Sequence, residues 1–193
     1  RLQIYGSPTP TFLPTQDVLV NNWGFDPKKQ SNIMSIGLFD LNPKSRGTIL
    51  AAHSDPEAYP SIDLNPLGNP DDLDFMVDQY IETFHIMTKA RELDPEGIYK
   101  VVYPPEKIFE ISNKDVQRKK LESYVRASYR NIFHFGGQCK MARSIHDGVV
   151  DGYLNVFGTW NLKVADLSIS PILPDGNTSM PSQMIGLNAV NFI

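Results

Sequence analysis

Only one cysteine, Cys139, stands among the 193 residues, so no intrachain disulfide exists and the fold rests on no disulfide framework. No run of about 18 apolar residues occurs, which excludes a transmembrane helix. A charge excess is missing too. Lys and Arg total 18 against 22 Asp and Glu, and the net −4 argues against a nucleic-acid binder or a polybasic membrane-surface protein. The general motifs are absent: no Gly-x-Gly-x-x-Gly, no P-loop, no His-Glu-x-x-His and no Gly-x-Ser-x-Gly nucleophile elbow. His53, His85, His134 and His146 show no metal-ligand spacing, and no metal site is expected. What is plentiful is punctuation. Fifteen prolines and 13 glycines divide the chain into short segments without an internal repeat.

The chain opens at Arg1 directly on the alternating apolar run Leu2-Gln3-Ile4-Tyr5, which reads as a strand and as part of a longer polypeptide. Residues 32–39 and 48–52 also read as strands, and the proline-punctuated stretch from His53 to Leu67 as an extended loop. Asn69-Pro70-Asp71-Asp72 then starts a helix: an N-cap residue, proline at the first helical position, and acids against the helix dipole. Leu73, Met76, Val77, Tyr80, Ile81, Phe84 and Met87 recur at helical spacing, so one face is buried as far as about Leu93. Residues 94–111, with Pro104-Pro105, read as strand or loop. Ser112-Asn113-Lys114-Asp115 caps a second helix to about Ala127, whose run Gln117–Lys120 reads as a solvated face. From Asn131 the pattern changes to glycine-rich turns between short β-type runs at 132–135, 154–157 and 162–165. A final helix spans about Met180 to Phe192, entered through Pro181. The boundary falls near residue 130. Strands and helices in separate runs indicate an α+β architecture.

Two places carry chemistry. His134 lies in the apolar run Ile132-Phe133-His134-Phe135, followed by Gly136-Gly137. An apolar setting favours a neutral imidazole, the form that abstracts a proton at neutral pH, and nearby glycines let a ligand approach the backbone. The same pattern fits a hydrogen-bonded core histidine. The second place is Asp175-Gly176-Asn177-Thr178-Ser179-Met180-Pro181, a tight turn opening the last helix. It reads either as a plain capped start or as an amide held where free backbone N–H groups favour negative charge. Asn177-Thr178-Ser179 also has the form of a glycosylation sequon, a coincidence expected just before a packed helix.

The order of these elements is similar to one family. His134-x-x-Gly137-x-Cys139-x-Met141, Asp147-Gly148-Val149-Val150-Asp151, Leu154-x-Val156-x-Gly158-x-x-Asn161-Leu162-x-Val164-Ala165-Asp166-x-Ser168-x-x-Pro171 and Gly176-Asn177-Thr178 together resemble the glucose-methanol-choline (GMC) flavin oxidoreductases. Pro43-x-Ser45-x-Gly47, Ser54-Asp55-Pro56, Pro60-x-Ile62-Asp63 and Asp71-Asp72-Leu73 agree with the same family further upstream. The resemblance implies a C-terminal portion. Residues 1–130 would be the substrate-binding domain, a mostly antiparallel sheet with flanking helices, and 131–193 the segment completing the FAD domain of α/β type. The dinucleotide-binding unit that holds most of FAD would lie upstream, so this chain alone would not hold flavin tightly. In the family an alcohol passes hydride to flavin N5 while a histidine takes the hydroxyl proton. By motif position that base is His134, and Asn177 is the residue that hydrogen-bonds the substrate oxygen. Asp166, Leu167, Thr178 and Ser179 match positions whose backbone approaches FAD.

Departures sit beside the histidine. Gln138 stands where threonine is usual, Ala142 where glycine is common, and Phe135 where proline is frequent. Cys139 is expected to pack rather than react. Phe133, Phe135, Phe157 and Trp160 would line an apolar substrate pocket or belong to plain core, the second being the commoner fate of aromatic residues in such runs. Two other functions stay open at this point. One is a hydroxynitrile lyase, which would retain the histidine. The other is a structural coat or surface-fibre protein reusing the fold, secreted or virion-associated.

Overall fold

A computed structural model of the chain describes residues 2–7, 34–96, 101 and 104–192. These residues gather into two compact units. One comprises residues 2–40 and 67–130, the other 41–66 and 131–193.

The first unit is built on two helices and a two-stranded sheet. Strand β1 (Leu2–Ser7) pairs antiparallel with β2 (Ser35–Asp40), Leu2 opposite Asp40 and Ser7 opposite Ser35. Of the strand expected at 32–39, residues 32 and 33 lie outside the described residues. Helix α1 (Pro70–Glu92) begins as its sequence dictates: the Asn69 side chain accepts from the Asp71 N–H, Pro70 opens the first turn, and Leu93 ends the helix. Helix α2 (Lys114–Ser128) is capped by Asn113, whose Oδ1 accepts from the N–H groups of Asp115 and Val116. Leu73, Met76 and Val77 of α1 meet Leu121, Tyr124 and Val125 of α2 in one core with Leu67 and Ile108, and Leu38 of β2 and Tyr80 pack against it. Tyr80 lies edge-on to Tyr124 at 5.2 Å, and its burial pushes the hydroxyl pKa up.

One expectation for this unit fails. Gln117 does not sit on a solvated face: it is buried, and its Nε2 donates to the carbonyl oxygens of Ile108, Phe109 and Ile111. Those carbonyls belong to the turn before α2, which includes the 3-10 turn Glu106–Ile108, and the amide satisfies a non-repeating stretch that no ladder serves. The neighbouring Arg118 does face outward, bonding Asp74 at 2.6 Å and Asp78 at 2.7 Å across to α1. These two hydrogen bonds raise its pKa. Within the expected strand or loop of 94–111, residues 97–100 and 102–103 lie outside the described residues.

The second unit has little regular structure. Strand β3 (Thr48–Leu50) pairs antiparallel with β4 (Ser61–Asp63), Ile49 opposite Ile62. Part of the expected loop from His53 to Leu67 is therefore a strand. Its proline spacing hides the three residues free to pair, and Asn65 fastens the base by donating to the Arg46 carbonyl at 3.0 Å. A Cβ on Gly47 would collide with the backbone at Asp63 and Leu64, which is why glycine stands there. Of the three β-type runs after residue 131, that at 132–135 forms no bridge, and the other two form only isolated ones, Val156 with Val150 and Asn155 with Lys163, beside a bridge of Met141 with Val150. Positive φ angles at Phe133, Gly137, Leu154, Gly158 and Asn161 turn the chain before a strand can propagate. Helix α3 (Ser179–Ala189) follows and continues as a 3-10 turn to Phe192. Val150, Leu154, Ile169 and Ala189 form the small core, with Met141, Val156, Val164, Ile185 and Phe192 against it.

Candidate active site

The histidine-bearing segment and the segment leading to Asn177 run side by side, held by backbone hydrogen bonds. The N–H groups of Gly137, Cys139 and Met141 donate to the carbonyls of Leu167, Ser168 and Ile169 at 3.3, 2.9 and 2.8 Å. Gly137 takes φ 84°, a conformation available cheaply only to glycine. Gly136 is in close quarters too: a Cβ there would fall 2.5 Å from the Leu173 side chain and 3.1 Å from the Leu167 carbonyl oxygen, so a larger residue would require the Leu173 side chain to move and the Leu167 backbone to give slightly. His134 lies three residues before Gly137, where this seam begins, and Asn177 four residues beyond Leu173.

His134 is half-buried and Asn177 is exposed. Among the described residues neither side chain has a hydrogen-bond partner, in contrast to His53, whose Nδ1 accepts from the Asp55 N–H. Both are thus available to a ligand. Asp166 is engaged: its Oδ1 accepts from the Ser168 N–H at 2.8 Å and so starts the 3-10 turn Leu167–Ile169. Leu167 is buried, and its carbonyl serves Gly137 and Ser170. These two side chains therefore shape the seam. Thr178 forms the N-cap of α3 without a side-chain cap bond, and its carbonyl accepts both the N–H and the hydroxyl of Ser182. Ser179 Oγ accepts from Gln183 at 3.1 Å. Cys139 is a free, partly buried thiol.

The segment between these pieces is stitched by side chains that the sequence motifs do not advertise. Asp151 accepts from the backbone N–H groups of Tyr153 and Asn155 and from the Asn155 amide, while Lys163 donates to Asn155 Oδ1 at 2.6 Å and to the Tyr153 carbonyl. The Asn155 amide, the backbone donors and the Lys163 charge hold the Asp151 carboxyl below its ordinary range. Lys163 lies outside the residues singled out from sequence; only its alternation with Leu162 and Val164 hinted that it would point away from them.

The aromatic residues near the histidine are not core. Phe133 is 80% exposed, Phe135 45% and Trp160 94%, and the rings of Phe133 and Phe135 meet edge to face at 6.3 Å. The commoner fate expected of the four aromatic residues fails for these three, while Phe157 is half-buried; the turn at Phe133 (φ 59°) directs its own run away from the small core.

This order of motifs, with its two glycine-dependent close approaches, defines a family. Residues 43–186 match the sequence profile of the GMC oxidoreductase C-terminal region, and the chain belongs to the GMC oxidoreductase family. It is 31% identical over 159 residues to an alcohol dehydrogenase (acceptor) of Pseudomonas putida, covering 82% of this chain and 27% of that protein. An oxygen-dependent choline dehydrogenase of Sinorhizobium medicae is 32% identical over 152 residues, covering 78% of this chain and 26% of the relative. Among solved structures, a formate oxidase of Aspergillus oryzae, examined for modification of its FAD, superposes with a TM-score of 0.71 at 25% identity. It is matched over 88% of this chain and 28% of its own. The chain thus spans about a quarter of the length of these proteins, and its described residues have an α+β architecture of small antiparallel sheets with helices. No helix among the described residues is long and apolar enough to cross a membrane.

Proposed function

We propose that this chain is the C-terminal portion of an FAD-dependent enzyme that oxidises an alcohol, with His134 as general base and Asn177 as the donor to the substrate oxygen. In that reading residues 1–130 belong to the substrate-binding domain and 131–193 complete the FAD domain. The carrying observation is the seam between residues 137–141 and 167–169, flanked by a histidine and an asparagine whose side chains make no hydrogen bond among the described residues. A base within hydrogen-bond reach of the hydroxyl proton makes the carbinol carbon a better hydride donor, an effect of about 10²–10⁴ in rate. The asparagine amide stabilises the developing alkoxide without competing for the proton.

FAD, when bound, supplies the hydride acceptor. The residues present fit it in one respect: α3 opens with no side chain on its first N–H groups, whereas α1 and α2 are closed by Asn69 and Asn113. Free donors and the positive end of the helix dipole suit an electron-rich or anionic group. Thr178 and Ser179 would meet the cofactor through these donors, and Asp166 and Leu167 through their backbone, since the Asp166 carboxylate is occupied.

The remaining polypeptide is part of the reading. Helix α3 is apolar on two sides: Ile185 and Ala189 face the small core, while Met180, Met184 and Leu187 are 66%, 65% and 76% exposed. Exposed apolar side chains of this kind suit cover by further polypeptide, which the relatives possess, this chain spanning about a quarter of their length.

The test is His134→Ala in the full-length protein that carries this chain. The expected result is a loss of about 10²–10⁴ in kcat with the visible flavin spectrum retained. Unchanged turnover would remove His134 from the mechanism. A full-length protein whose flavin no alcohol bleaches would remove the oxidoreductase itself.

A further inference from the structure

We propose that Asn131 is a positioning residue for the base: its side chain holds Phe133 in a left-handed turn, and that turn fixes the path of the backbone on which His134 stands. The inference rests on the reading of His134 as general base and adds the residue that sets its place.

Phe133 occupies φ 59°, a region that bulky side chains avoid and that persists only where something enforces it. The enforcing contact is local. The Phe133 N–H donates to Asn131 Oδ1 at 3.1 Å, the step by which an asparagine side chain bonds the backbone two residues on. Packing does not supply the constraint. The Phe133 ring is 80% exposed, and among the described residues it meets only the ring of Phe135, which belongs to the same short segment. Among the described residues, too, this is the only hydrogen bond that residues 132–136 make. Backbone fastening resumes at Gly137, whose N–H donates to the Leu167 carbonyl.

The link from Phe133 to His134 is covalent, so the torsion at Phe133 decides where the next Cα lies and which way its side chain leaves. Without the Asn131 bond, a phenylalanine relaxes to an ordinary negative φ, and the histidine is carried with it while the seam stays closed from Gly137 onward. Misplacing a reacting group by about 1 Å can cost on the order of 10²-fold in rate. Asp166, Leu167, Thr178 and Ser179, the residues proposed to meet FAD, lie outside this turn, so flavin binding does not depend on it.

The experiment uses the full-length protein with its flavin. It reads kcat per bound flavin, and KM, with whichever of benzyl alcohol, 1-butanol and choline bleaches the wild-type flavin fastest. Asn131→Ala is expected to lower kcat by about 10–100-fold, with KM little changed and the flavin spectrum retained. Asn131→Asp keeps the acceptor and is expected to stay near the wild type. Adding Phe133→Gly to Asn131→Ala is expected to recover most of the lost kcat, because glycine adopts the left-handed turn without the bond. Unchanged kcat in Asn131→Ala, beside a loss in His134→Ala, overturns the positioning role and leaves the base standing. A loss that Phe133→Gly does not relieve overturns it as well, and so does loss of flavin in Asn131→Ala, because the bond would then serve assembly. Unchanged turnover in His134→Ala, or a flavin that none of the three alcohols bleaches, removes the base and the positioning role together.

Discussion

The two units spend their sequence differently. The helical unit has a continuous apolar core from Leu67 to Val125, two side-chain caps and a charged clasp at Arg118. The motif-bearing unit buries only Val150, Leu154, Ile169 and Ala189 in its cluster. It holds its shape through backbone bonds between irregular segments, glycines where a Cβ would collide, and the Asp151–Asn155–Lys163 network. Every residue assigned to chemistry lies in this second unit. Reactive groups need open faces and non-repeating backbone, and a fully packed helix pair offers neither.

The strongest way to break this contrast is by truncation. Leu121 is fully buried between α1 and α2, and Leu121→Ala is expected to cost about 2–5 kcal/mol through lost burial and the cavity left behind. Leu187, 76% exposed on α3, is expected to cost this chain no more than about 0.5 kcal/mol on the same change. Urea unfolding of the two variants measures both. Comparable losses would mean that the second unit has a core as consequential as the first.

A smaller effect sharpens the contrast at the helix ends. Asn113 Oδ1 serves two N–H groups of α2, so Asn113→Ala should cost about 0.5–2 kcal/mol. Thr178 makes no such bond, and its carbonyl, which serves Ser182, survives substitution; Thr178→Ala should leave the melting temperature unchanged. A clear drop for Thr178→Ala would show that the open end of α3 is closed in the folded protein.

The same contrast governs how much the sequence revealed. Both helices of the first unit could be read to within a residue or so, because Asn69-Pro70-Asp71-Asp72 and Asn113 satisfy helix ends locally and the apolar spacing names the buried face. Gln117 escaped because its partners are carbonyls of an irregular turn six to nine residues earlier, which no periodicity encodes. In the second unit, order of motifs identified the family while local pattern misled. The runs at 132–135, 154–157 and 162–165 have strand composition, yet positive φ values of 59° at Phe133, 69° at Leu154 and 54° at Asn161 accompany isolated bridges in the last two and none in the first. The same turn put Phe133 outside the core. The strand Ser61–Asp63 was hidden by the prolines around it, since its pairing depends on the distant Gly47 rather than on its own composition.

The smallest effect probes what replaces a core in the second unit. The Asp151 carboxylate is held below its usual pKa, first by the Asn155 amide and further by backbone donors and Lys163. A group whose pKa is depressed on folding stabilises the fold fully above its unfolded value, about 3.9 for aspartate, and loses that contribution as pH falls through the folded value. Asp151→Asn retains an acceptor for the Tyr153 and Asn155 N–H groups but cannot carry the charge. The variant should therefore melt slightly lower than the wild type at pH 6, and the gap should narrow as pH drops below about 4. Melting both proteins between pH 6 and pH 2 checks the sign. A gap that stays constant down to pH 2 would mean that the acceptor geometry, and not the charge, fastens this turn. The stitching of the second unit would then be insensitive to acid, as the apolar core of the first is.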